Sequence, residues 1–185
     1  MPGIRLAELH PIIVHFPIAL LITSVVMDVL AIVLKRTHLV YGATWLLGFG
    51  VLGALAAGLT GSISEHAAHT DAVRQILSMH QTLGFATGFI FAVLLAARLV
   101  WLAPAILGAL SAQFPVAGSL ERSLKVQLPA LYTARMTPAL VGVYLFGSVV
   151  GVILLGLTGY LGGAMVYDHG VGTPTGFLLS IIQNW

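Results

Sequence analysis

Seven histidines and no cysteine, in a chain of 185 residues, set the range of chemistry open to this sequence. Without thiols, disulfides, thiolate metal sites, iron–sulfur clusters and covalent c-type haem attachment are excluded within the chain. Imidazole remains, the usual axial ligand of b-type haem and a common ligand for copper or zinc. Two of the seven, His10 and His15, lie in the stretch HPIIVHFPIALL, His10 to Leu21, which leads directly into a long apolar run. An ionisable group at such a boundary is costly when idle and so carries a functional hypothesis.

The elements that position these side chains follow from composition. Hydrophobic residues make up 58% of the chain and charged residues 8%, far too apolar for an ordinary soluble domain. A hydrocarbon core of roughly 30 Å needs about 20 helical residues. Four segments meet that length, at about 11–34, 41–63, 81–102 and 138–166. Backbone polar groups cannot be left unpaired in lipid, so these are expected to be helices. Met1 to Glu8 makes a poor positive n-region, and the run behind it ends in Lys35-Arg36 and not at a small-residue cleavage site, so it reads as a retained first span.

Loop charge gives the orientation. Lys35, Arg36, Arg98, Arg122, Lys125 and Arg135 lie at one side, against Arg5 and Arg74 at the other, which places both termini outside. The net charge of +2 gives no reason to expect nucleic acid as a partner. Residues 103–137 read as a cytoplasmic loop, partly interfacial, in which Ser119 could cap a short helix to Gln127. The outer loop, Ser64 to Met79, holds Glu65, His66, His69, Asp71 and Arg74 and is expected to form a short surface helix. The tail, 170–185, begins with the helix-ending run Gly170-Val171-Gly172-Thr173-Pro174 and stays on the outer face.

An internal repeat is visible. Gly58-Leu59-Thr60-Gly61 recurs as Gly156-Leu157-Thr158-Gly159, each followed by an acid–histidine pair, Glu65-His66 and Asp168-His169. His15 and His80 each stand at the outer mouth of a span. The reading is an all-α membrane protein of four transmembrane helices, forming a pseudo-twofold bundle from two parallel two-helix repeats, 1–185 as a single domain. Gly84/Gly88, Gly147/Gly151, Gly159/Gly163 and Ala54/Gly58 are small-xxx-small pairs suited to close helix contact.

All histidines but His38 fall on the outer side in this topology. Two imidazoles facing each other across a porphyrin would hold haem b, and the repeat makes His15 and His80 the expected axial pair to its iron. His10 or His69 facing His169 would hold a second haem. Glu65 and Asp168 stand where they could orient a ligand's second ring nitrogen. Against this stands the plainer reading: interfacial histidines as tolerated polar residues, with His10 only capping the helix that Pro11 starts. Asp28 and Arg98 lie at matching depth, each about 25 Å from the outer ends of their helices. They are expected to form a structural ion pair between spans one and three.

HPIIVHFPIALL, His80 at the mouth of the third span and GYLGGAMVYDHGVG near the end resemble a bacterial family of membrane proteins, domain of unknown function 2231. The resemblance covers nearly the whole chain. It implies four spans and recurrent histidines suspected of binding haem, here His10, His15, His80 and His169, with Gly162, Gly163, Tyr167 and Gly170 in the closing motif. The long segment before span four, and His66 and His69, match no motif of the family.

The expectation is therefore a haem b-binding protein, with one haem or two, for electron transfer at the outer face of a bacterial inner membrane. It would be an electron-transfer or accessory subunit, not a stand-alone enzyme, and it would belong to a larger respiratory or photosynthetic complex. Its partners would be membrane lipid, other membrane subunits, and a periplasmic cytochrome or quinone. The alternatives are a structural or assembly subunit without cofactor, and an outer-face copper or zinc site.

Overall fold

A computed structural model describes residues 6–64, 71–128 and 137–168. These form six helices: α1 (Leu6–Ile13), α2 (His15–Val33), α3 (Thr37–Ser64), α4 (Asp71–Ser111), α5 (Pro115–Gln127) and α6 (Pro138–Tyr167). Among the described residues there is no strand. Four stretches are long and apolar enough to cross a membrane: His10–Val33, Thr37–Ser62, Val73–Ser111 and Pro138–Tyr167. They correspond to the four expected spans.

The first span is two helices in line. Pro17 has no N–H to give the carbonyl of Ile13, and α1 and α2 are separated at Val14 alone. Val14 keeps helical angles, so the chain continues in nearly the same direction. Lys35 takes a left-handed conformation (φ 53°) after α2, with Arg36 N–H reaching back to Ala31, and this reverses the chain into α3. At the start of α6 the Thr137 hydroxyl accepts from Leu140 N–H and Pro138 fills the first turn.

The third span differs most from expectation. α4 runs on for 41 residues, about 60 Å, twice the hydrocarbon thickness. Residues 71–79, expected as a separate surface helix, are its first turns. At the other end it passes Pro104 and continues to Ser111. A proline removes one helical hydrogen bond but need not end a helix whose far side is packed, and α5 lies against α4 here. The segment 103–137 is therefore largely helical where described. α5 begins at Pro115, so Ser119 is not its cap. Its hydroxyl donates to Val116 within the helix.

The most extensive contacts join α2 to α3 and α4 to α6, with α3–α4 and α2–α6 closing the bundle. The core joins Leu21, Leu47, Val51, Phe91, Leu94 and Leu155. Large apolar side chains such as Trp45, Leu59, Phe89 and Phe146 lie exposed on the outside. Such a surface suits lipid and would be a liability in water.

Burial repeats with a fixed spacing. In the first span Pro17, Leu21, Ser24 and Asp28 are buried, and 70 positions on so are Thr87, Phe91, Leu94 and Arg98. In α3 Leu47 and Gly50 are buried, and 101 positions on so are Ser148 and Gly151. The close approaches match too. A Cβ on Gly50 would come 2.6 Å from Leu21, and one on Gly151 would come 3.0 Å from Phe91. Glycine at these two positions lets each helix pair close tightly around a large side chain. Of the small-residue pairs named above, Gly88 and Gly159 instead face open space.

Candidate functional site

The site is built at one end of the bundle from α1, α3, α4 and α6. His10, in the last turn of α1, lies against the final turns of α3. Its Nδ1 is 2.9 Å from the carbonyl of Ala57, so the protonated Nδ1 donates there. The Thr60 hydroxyl is 3.4 Å from the same nitrogen. Ring atom Cε1 stands 3.1 Å from where a Cβ on Gly61 would be, so a larger residue there would push the ring back by a few tenths of an ångström.

His80 is held in the same way on the other side. Its Nδ1 lies 2.9 Å from the carbonyl of Thr158 on α6, and its Cε1 is 3.2 Å from a Cβ position at Gly162. Each imidazole is thus anchored to a carbonyl and seated on the glycine four residues later, one helical turn further along the same face. The spacings are again 70 between the histidines and 101 between their supports.

The two rings meet edge to face. Their centroids are 6.2 Å apart and their planes nearly perpendicular, at 88°. Both side chains are partly buried. With Nδ1 engaged by a carbonyl, the tautomer that donates there leaves Nε2 as a lone-pair donor on each ring. Among the described residues neither Nε2 has a hydrogen-bond partner. That arrangement, one ring nitrogen fixed by a carbonyl and the other open, is how proteins prepare histidine for metal.

The structure does not bring the expected pair, His15 and His80, together. His15 is exposed and its Nδ1 contacts the carbonyl of Pro11, one turn back in α1. The ring that meets His80 is that of His10. His10 and His15 are five residues apart, about 140° around a helix, so both cannot present to the same neighbour. His10 is consequently more than a cap: its side chain reaches across to α3. The expected sites at His69 and His169, with Glu65 and His66, lie outside the described residues. Among the described residues no three histidines or carboxylates converge as a metal-holding group.

The other polar cluster lies at the opposite end of the bundle. Arg98 Nη2 is 2.5 Å from Asp28 Oδ2, with both side chains buried, which is the expected pair between spans one and three. Sequence reasoning missed a third member. Tyr144 on α6 donates to the same carboxylate oxygen over 3.4 Å, and the Arg98 guanidinium lies 4.7 Å from the centre of its ring. Nothing marks a span tyrosine for this role until α6 is packed beside α4.

The fold and this site define a four-span helical membrane protein with a matched histidine pair near one end. A family model described as predicted membrane protein (DUF2231) matches residues 7–175, and the chain belongs to that family. No curated protein and no solved structure matches the chain.

Proposed function

We propose that the protein binds haem b between His10 and His80 and serves one-electron transfer at one membrane face. The observation that carries this reading is the pair of adjoining imidazoles, each with its Nδ1 on a backbone carbonyl. His10 and His80, whose rings lie 6.2 Å apart, would hold the haem iron through their Nε2 atoms. A porphyrin supplies four further nitrogens, which is why two protein ligands are enough for haem. Tetrahedral zinc would need more donors than this pair provides. Bound haem would supply one-electron exchange, while the chain's own contribution is to hold both rings and fix their tautomers.

The recurring spacings support a pseudo-twofold arrangement of two helix pairs about an axis along the membrane normal, with His10 and His80 as equivalents. Loop charge favours placing this end at the outer face of a bacterial inner membrane, with both termini periplasmic. A site so close to one face suits exchange with a periplasmic cytochrome or another subunit, not a wire across the bilayer.

The test is a visible spectrum of protein purified in mild detergent after haem-replete expression, oxidised and then dithionite-reduced, with metal analysis alongside. A low-spin b-type spectrum is expected, lost or shifted in His10→Ala and in His80→Ala and retained in His15→Ala. Absence of a Soret band refutes the haem reading. Copper near stoichiometry without haem would reassign the pair to a bare two-coordinate metal ion.

A further inference from the structure

Between α4 and α6, at the end of the bundle away from the histidines, lies a groove of about 370 Å³. Its walls include Phe89, Trp101, Leu140, Val143 and Tyr144, and its one charged lining residue is Arg98. Phe89 is 71% and Val143 69% exposed on the outer surface, so the groove opens sideways toward lipid. Arg98 itself is 5% exposed, and its Nη1 is fully buried without a hydrogen-bond partner. A buried guanidinium nitrogen lacking an acceptor is costly, and an acceptor that arrives with a ligand removes that cost.

The charge state selects among acceptors. Arg98 is already neutralised by Asp28 through its other terminal nitrogen. A phosphate brought to Nη1 would meet the Asp28 carboxylate with no second cation in the lining. The remaining need is for a neutral oxygen acceptor carried on a flat or apolar body that enters from the bilayer. Trp101 and Tyr144, the aromatic walls nearest Arg98, suit a planar head.

We infer that this groove binds a lipophilic quinone, a carbonyl of its ring accepting from Arg98 Nη1 and its isoprenoid tail leaving past Phe89 and Val143. The site is independent of the histidine pair. Arg98 is 18 residues beyond His80 on α4, about 27 Å along the helix.

The test uses the full-length chain in lipid nanodiscs, with Trp45→Phe and Trp185→Phe so that Trp101 is the sole tryptophan fluorophore. Titration with decyl-ubiquinone should quench Trp101 saturably. Val143→Phe and Ala97→Phe place bulk on exposed positions of the groove, outside the core, and should abolish the saturable phase. Arg98→Lys keeps a cation for Asp28 but removes the second guanidinium nitrogen, and should weaken binding about tenfold. Decylbenzene, which has ring and tail without carbonyls, should compete poorly. Quenching that rises linearly and equally in all variants would overturn the proposal, since it reports partitioning into the bilayer. Equal competition by decylbenzene, or displacement by phosphatidylglycerol at lower concentration than quinone, would overturn it as well. None of these measurements depends on haem, so their failure leaves the histidine reading standing.

Discussion

The buried ion pair offers the sharpest test of how the two helix pairs are joined. Asp28→Ala leaves the Arg98 guanidinium buried beside Tyr144 without its counter-charge. Removing one partner of such a pair costs about 3–5 kcal/mol. Arg98→Met leaves a lone carboxylate and should cost a similar amount. The double variant Asp28→Ala/Arg98→Met removes both charges and should fall within about 1 kcal/mol of the native protein, because desolvation of the pair is then also relieved. The charge swap, Asp28→Arg with Arg98→Asp, adds a finer question. Asp28 and Arg98 are 70 positions apart, the spacing at which burial recurs in the two spans, so the swap should rebuild the pair. It should not rebuild it fully. The position 101 before Tyr144 is Ala43, which is buried and offers neither ring nor hydroxyl. The swapped arginine loses a cation–π contact worth up to about 2 kcal/mol when desolvated, and the carboxylate loses its long bond from Tyr144. Recovery of roughly half the single-variant loss is expected. Unfolding free energies from steric trapping in bicelles would measure all four proteins. Single variants costing under about 1 kcal/mol, or a double variant as unstable as the two singles summed, would refute the view that these charges depend on each other.

Other outcomes follow from specific contacts. Gly50→Ala sets a Cβ 2.6 Å from Leu21 and should destabilise the α2–α3 pair by about 1–3 kcal/mol, with partial rescue by Leu21→Ala in the same assay. Lys35→Gly relieves a left-handed residue and should stabilise the protein by about 1 kcal/mol; a loss of stability would show that the lysine side chain matters more than its backbone. The hydrogen bond from Lys125, helped by one from Ser111, holds the Glu121 carboxyl below the usual carboxylate range. A depressed folded-state value means that this contact supports α5 above the ordinary carboxylate pKa and is lost as pH falls through the lowered one. Carboxyl NMR titration should therefore show Glu121 moving up toward its ordinary value in Lys125→Ala.

Much of this architecture was legible from residue types alone. Lipid thickness dictates span length, so four apolar runs of about 20 residues or more could be counted directly. The family resemblance, argued from the terminal histidine motifs, agrees with the match over residues 7–175. Matching depth was enough to pair Asp28 with Arg98, because two lone charges in hydrocarbon have few other ways to be satisfied.

What the linear pattern did not supply was rotation about each helix axis. The tetrapeptide repeat invited an alignment three residues away from the one the packing follows, nearly one turn. Thr60 and Thr158 both reach a histidine in consequence, the first through its hydroxyl and the second through its carbonyl. A usable signal was nonetheless present. His10 precedes Asp28 by 18 residues and His80 precedes Arg98 by 18, five full turns in each case, so both histidines share the face that carries the ion pair. His15 does not. The sequence by itself determined how many helices are long and apolar enough to cross the bilayer, where the charges lie in depth, and that His10, His15 and His80 lie near one end. Only the tertiary structure decided which imidazoles meet, because depth is set by rise along an axis that lipid imposes on every span. Facing is set by the interlocking of particular side chains, Leu21 over Gly50 and Phe91 over Gly151, which exists only once the helices have packed.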